Sequence, residues 1–178
     1  MSARSPLPLR RPLLLTGGPA AGCTSVAQAL AERRDLCAVV EVAQLRGMLR
    51  SGAVAPWRPG AGEGQHRLAA VQACLLAASF TAAGVEAVVC DVLRGEVGAV
   101  YRSSTAAPFV VALRVPLEVA RARGTSAALS PVEFDALHAE AAAVRDVDLE
   151  VDAAAPLVEV VAAVDAAWAG AGSATPTR

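Results

Sequence analysis

The chain has 178 residues and a formal net charge of -1, with 54% hydrophobic, 19% charged and 3% aromatic residues. That balance excludes a disordered chain, which needs low hydrophobicity and high net charge, and it leaves no basic footprint for nucleic acid. All 16 basic residues are arginines, so any chemistry that requires a lysine ammonium is excluded as well.

Residues 1–11 read as a loose leader and 170–178, rich in Gly, Ser, Thr and Pro, as a flexible tail. Between them lies one domain, residues 12–169. Strands are predicted over Pro12–Leu15, Ala38–Val42, Ala87–Val92, Phe109–Val115 and Asp148–Val151. They read largely as continuous apolar runs rather than alternating ones, the pattern of strands covered on both faces. Helices are predicted over Thr24–Arg33, Ala43–Arg50, Gln65–Ala83, Glu96–Ser103, Pro116–Arg123, Pro131–Val144 and Leu157–Trp168. In the third, Leu68, Val71, Leu75, Leu76 and Phe80 recur at helical spacing and mark its core face. Ser130, Pro131 and Glu133 form a helix start. Strands alternating with helices predict an α/β fold with a parallel sheet and right-handed crossovers.

Cys23, Cys37, Cys74 and Cys90 show no close pairing and no nearby His, so neither zinc nor a disulfide framework is indicated, and a reducing cytoplasmic setting is the default. Leu68–Val85 is uncharged for 18 residues, the lower edge of a membrane span, but its Ala content, Gln72, Ser79 and Thr81 favour a buried helix. Arg10-Arg11 ahead of Leu13-Leu14-Leu15 and Cys23 also reads as a short export signal ending at a lipoprotein cysteine, although its apolar core is too short for one. His66 and His138 have no partner at metal spacing and are placed on the surface.

The most informative stretch is Leu15-Thr16-Gly17-Gly18-Pro19-Ala20-Ala21-Gly22-Cys23-Thr24-Ser25. Gly17 and Gly22 have the spacing of G-x-x-x-x-G-K-[ST], the phosphate loop. Glycines are needed there so that successive backbone N–H groups can turn inward around an anion, and the following helix adds the positive end of its dipole. Thr24 takes the hydroxyl position that holds Mg²⁺. The lysine position is Cys23, and losing that charge-assisted hydrogen bond costs roughly 1.5–3 kcal/mol. A thiol in the first turn of a helix is also expected to ionise readily.

On this loop the chain resembles the small P-loop kinases: the shikimate-, gluconate- and nucleoside-kinase group, and especially the chloramphenicol-phosphotransferase and zeta-toxin-like members. Softer matches are Leu45-Arg46-Gly47-Met48 with Pro56-Trp57, Val88-Val89-Cys90-Asp91-Val92-Leu93, and Pro116 to Arg123. The resemblance implies a three-layer α/β/α fold with a five-stranded parallel sheet ordered 2-3-1-4-5 and a short lid over about 121–144. It further implies ATP and Mg²⁺ as cofactors and phosphoryl transfer to a small hydroxyl-bearing acceptor, without nucleic-acid or membrane partners. Gly17, Gly18, Gly22, Cys23, Thr24 and Ser25 would bind the nucleotide, with Thr24 on the metal. Asp91 and Arg123 would be catalytic, and Arg46 and Trp57 would meet the acceptor.

The departures fall on one reaction. Beside the missing lysine, the positions where relatives carry acceptor-side Asp are Ala43 and Gln44, and Gly124 to Ser130 holds no Arg. A catalytically inactive relative acting as a ligand- or partner-binding module is therefore the alternative expectation. Several residues also carry plainer readings. Asp91 would cap a loop, Arg46 and Arg50 would share a solvated helix face, and Trp57 would anchor a loop. Glu41 would be an exposed strand end, and Arg121 would pair with Glu118.

Overall fold

The computed structural model describes residues 10–124 and 129–172. In chain order the elements are β1 (Leu13–Gly17), α1 (Cys23–Ala31), β2 (Cys37–Glu41), α2 (Val42–Gly47), α3 (Ala61–Ala82), β3 (Glu86–Cys90), α4 (Val97–Arg102), β4 (Phe109–Arg114), α5 (Leu117–Ala122), α6 (Pro131–Ala143), β5 (Leu149–Asp152) and α7 (Leu157–Gly170). The strands form one five-stranded sheet, all parallel, in the order β2-β3-β1-β4-β5. This is the order the kinase resemblance implies.

Sequence and layer are linked through the two-residue period of a strand. Leu13 and Leu15 of β1, Val88 and Cys90 of β3, and Val111 and Leu113 of β4 face one layer, where they meet Val26 and Leu30 of α1 and Val161, Val164 and Trp168 of α7. Leu14, Val89 and Val110 face the other, against Ala69, Ala70, Ala73 and Ala77 of α3 and Val97 and Tyr101 of α4. Burial on both faces is why the strands read as unbroken apolar runs. β1 lies at the centre, paired with β3 on one side and β4 on the other, so a chain starting at Cys23 would lack its central strand. Trp168 locks the outer layer. Its Nε1 donates to the Arg11 carbonyl at 2.7 Å, and the guanidiniums of Arg10 and Arg34 lie over its ring.

Two expectations about α3 are corrected. The helix begins at Ala61 rather than Gln65, and Glu63 accepts a hydrogen bond from the Gly60 N–H at its start. Its buried stripe is Gly62, His66, Ala69, Ala70, Ala73 and Ala77, while Leu68, Val71, Leu75 and Leu76 are exposed. The small residues let the helix backbone approach the sheet closely. At Gly62 it is the preceding loop that comes close, since a Cβ there would lie 2.1 Å from the Ala55 carbonyl oxygen. No helix among the described residues is long and apolar enough to cross a membrane.

Candidate functional site

The loop between β1 and α1 has the backbone that its glycines require. Gly22 caps α1 with φ +95°, and Ala20 also adopts a positive φ, +58°. The loop is tied internally by Ala21 N–H to the Gly18 carbonyl at 3.1 Å. At Gly17 a Cβ would sit 2.7 Å from Ala21 Cβ and 2.9 Å from the Leu113 carbonyl oxygen, so the close passage of the loop against β4 admits only glycine. A Cβ on Gly22 meets nothing within 4 Å. The space above it is open, and the left-handed φ rather than crowding bars a side chain there. A Gly22→Val change would therefore strain the backbone as well as fill the loop.

Two adjoining hollows open at the carboxyl ends of the strands, where ligands bind in open parallel sheets. One, of about 340 Å³, lies over the loop and is lined by Gly17, Gly18, Gly22, Cys23 and Thr24 together with Glu41, Arg46 and Asp91. The other, of about 530 Å³, is lined by Gly22, Ser25, Arg46, Trp57, His66, Asp91, Arg123 and apolar residues of α6. The structure thus gathers Arg46 and Trp57 beside the loop although they are distant in sequence. Trp57 Nε1 donates to Glu133 Oε1 at 2.9 Å, so the loop-anchor reading and the cavity position hold together.

Asp91, at the end of β3, is buried and fully bonded. Its Oδ1 lies 2.8 Å from His66 Nε2 and accepts from Val92 N–H at 2.8 Å, and its Oδ2 accepts from Tyr101 O–H at 2.8 Å. The surface placement of His66 is corrected: it is only 3% exposed. Sequence reasoning missed both partners. A signal existed for His66, which stands at positions i-3 and i-4 from Ala69 and Ala70 on the alanine stripe. Tyr101, the single tyrosine, carried none. His138 is also drawn inward, with Nε2 2.8 Å from the Val115 carbonyl oxygen.

The thiol of Cys23 does not behave as a helix-terminal thiolate. It turns inward, 3.5 Å from where a Gly17 Cβ would stand, and burial pushes its pKa up to about 12. Desolvation outweighs the helix dipole. Arg123 reaches the loop, donating to the Ala20 carbonyl at 3.4 Å and to the Ala153 carbonyl at 2.6 Å. Arg121 instead pairs with Asp135 of α6, not with Glu118. Arg46 faces the hollows, while Arg50 lies exposed beyond the end of α2, so the two do not share a solvated face. The expected lid falls partly on residues 125–128, outside the described residues.

Among the described residues no group of three or more His, Cys, Asp or Glu gathers as a metal site. Thr24, which carries a hydroxyl, and the half-buried Glu41, which carries a carboxylate, border the same hollow. That pair fits Mg²⁺ of the kind held by one or two protein oxygens and completed by phosphates and water.

No protein-family model and no curated protein matches the chain in sequence. Solved structures match over nearly its whole length. An unliganded sugar kinase from a Janibacter species is 17% identical, covers 95% of this chain and 99% of its own, and superposes with a TM-score of 0.67. A gluconokinase from Sinorhizobium meliloti is 19% identical, with coverages of 92% and 94% and a TM-score of 0.65. The Mycobacterium tuberculosis APS kinase, solved with AMPPNP and APS, is 17% identical, with coverages of 89% and 98% and a TM-score of 0.62. The fold is that of the small P-loop kinases, a five-stranded 2-3-1-4-5 sheet with a glycine-rich loop after its first strand. Within that class the chain is similar to kinases of small molecules.

Proposed function

We propose that the chain binds ATP or another nucleoside triphosphate at the 17–25 loop and transfers its terminal phosphoryl group to a small hydroxyl-bearing molecule held in the 530 Å³ hollow. The observation that carries this reading is the loop itself: left-handed Gly22 and Ala20 precede a nine-residue helix, and the space beside Gly22 is open. Mg²⁺ would be held by Thr24 and Glu41 and would neutralise phosphate charge. Arg123, already bonded to the loop carbonyl of Ala20, is placed to follow the charge that develops on transfer. Arg46 and Trp57 border the space left for the acceptor.

A second reading, binding without transfer, is favoured by one observation. Asp91, which follows β3, spends both oxygens on His66, Tyr101 and Val92, and Ala43 and Gln44 at the start of α2 supply no carboxylate, so neither position offers a free acid to take the acceptor's proton. Calorimetric titration with ATP and GTP, with and without Mg²⁺, tests nucleotide binding. ADP release over a set of sugars, sugar acids and nucleosides then separates the readings. Saturable binding with acceptor-dependent ADP release supports transfer, and binding with none supports the module. Absence of binding to either triphosphate overturns both.

A further inference from the structure

Arg46 differs from the other arginines that the fold draws away from solvent. Arg10, Arg11, Arg34, Arg94, Arg102 and Arg114 each have a carboxylate or carbonyl partner. Arg46 has none among the described residues, and its Nε is buried without one. A polar group is not left this way without cost, and an unpaired buried donor in a native structure asks for a missing acceptor.

The nearby carboxylate does not supply it. Asp91 attracts Arg46 through space, but its oxygens are taken by His66, Tyr101 and Val92. The guanidinium is therefore held near a satisfied anion with its buried Nε left unpaired. Desolvation lowers the Arg46 pKa, the mark of a cation short of a counter-charge. Arg46 borders the loop hollow beside Gly17, Gly22 and Thr24 as well as the larger hollow adjoining it. The loop hollow is also bordered by Cys23, at the position where the loop pattern places a lysine, and the chain contains no lysine.

We infer that Arg46 supplies, from α2, the phosphate-binding cation that position 23 of the loop lacks. The inference rests on the nucleotide-binding reading and deepens it, moving Arg46 from the acceptor to the nucleotide. The planar fork of a guanidinium suits a phosphate, giving two parallel charge-assisted hydrogen bonds where an ammonium gives a point charge. The buried Nε gains its acceptor in the same step. The ligand so recognised is a nucleoside di- or triphosphate, because the loop seats the inner phosphates and the cation must meet charge beyond them.

The test compares dissociation constants for ATP and AMP, by calorimetry with Mg²⁺, in the wild type, Arg46→Ala and the double variant Arg46→Ala with Cys23→Lys. Arg46→Ala should weaken ATP by about 10-fold or more, the value of a charge-assisted bond, and leave AMP within about twofold. Cys23→Lys should restore much of the ATP affinity. The thermal midpoint of Arg46→Ala should not fall, since the change removes an unpaired buried donor. Should that variant fail to fold, Arg46→Gln carries the same expectation, because it keeps a donor and loses the charge. Unchanged ATP affinity, or an equal loss for ATP and AMP, overturns the inference and returns Arg46 to the acceptor side. Failure of the nucleotide reading is seen separately, in a wild type that binds no ATP, and it removes the inference as well.

Discussion

His66 Nε2 and Asp91 Oδ1 stand 2.8 Å apart with both side chains almost wholly buried, joining α3, on one face of the sheet, to the end of β3 at the candidate site. Tyr101 of α4 closes the set from the other side at 2.8 Å. Burial and the adjoining carboxylate push the tyrosine pKa far above its ordinary value, so its proton stays in place as a donor to Asp91. Tyr101→Phe leaves one carboxylate oxygen without a partner and should cost about 1.5–3 kcal/mol, the range for hydrogen bonds to charged groups. Urea unfolding checks it. Because the residues share one network, Tyr101→Phe and His66→Ala should lose less together than the sum of their separate costs. A strictly additive pair would show that the network does not act as a unit.

The loop's two left-handed residues make opposite predictions. Ala20 at φ +58° carries a steric cost of about 1–2 kcal/mol that glycine avoids. Glycine adds about 0.4–1 kcal/mol of unfolded-chain entropy. Ala20→Gly should therefore hold or raise stability, by up to about 1.5 kcal/mol, each 1 kcal/mol raising Tm by about 2–4 °C for a domain of this size. Gly22→Ala, at φ +95°, should lower Tm. A fall in Tm for Ala20→Gly would mean that the Ala20 methyl makes packing contacts outweighing its strain.

Thiol chemistry follows burial. With Cys23 pushed up to about 12 and Cys37 to about 11, Cys23 should hold about tenfold less thiolate than Cys37 near pH 8. Iodoacetamide labelling, read by peptide mass spectrometry, should find Cys23 slower than Cys37, with its rate climbing about tenfold per pH unit between pH 8 and 10. Cys23 reacting first of the four would contradict the inward thiol.

The anchor of Trp57 should release in acid. Hydrogen bonds from Ser130 and Trp57 hold the Glu133 carboxylate down, from 4.5 to about 2. A carboxylate lowered in the folded state adds stability that is complete above its unfolded pKa and is lost as pH falls through the folded value. The contribution is therefore full above about pH 4.5 and fades towards pH 2. The indole N–H resonance of Trp57 should shift across that window in NMR spectra, and Glu133→Gln should remove the transition. A Trp57 signal unmoved between pH 5 and 2 would show that the indole is held by other groups.

The sheet was legible because buried parallel strands are written largely as apolar runs, and the loop because glycine is needed where it passes β4 at Gly17 and turns left-handed at Gly22. The face of α3 was misread for a physical reason. In a segment this rich in alanine, Leu68, Val71, Leu75 and Leu76 and the set Ala69, Ala70, Ala73 and Ala77 both recur at helical spacing. Larger side chains weigh more in any periodicity, yet here close approach to the sheet selects the smaller ones. His66 was hidden by the same error, since it belongs to the alanine stripe. Arg46 was named from its local pattern, but its freedom from any partner depends on how His66 and Tyr101 occupy Asp91, a relationship among segments that no local pattern encodes. The Cys23 thiol was misjudged because a helix start was weighed and the depth of the loop was not.

The central place of β1 bears on how the protein is made. Leu13, Leu14 and Leu15 are synthesised before any other strand, yet their partners are Val88 to Cys90 and Phe109 to Val111. At about 5–20 residues per second, the three leucines wait several seconds for the neighbours that will cover them. During that interval the ribosome carries a short, greasy segment with nothing to pair with, of the kind that holdase chaperones seize. The strand that seats the phosphate loop is the first of the five to be made, and it must wait for β3 and β4 before both of its edges are covered.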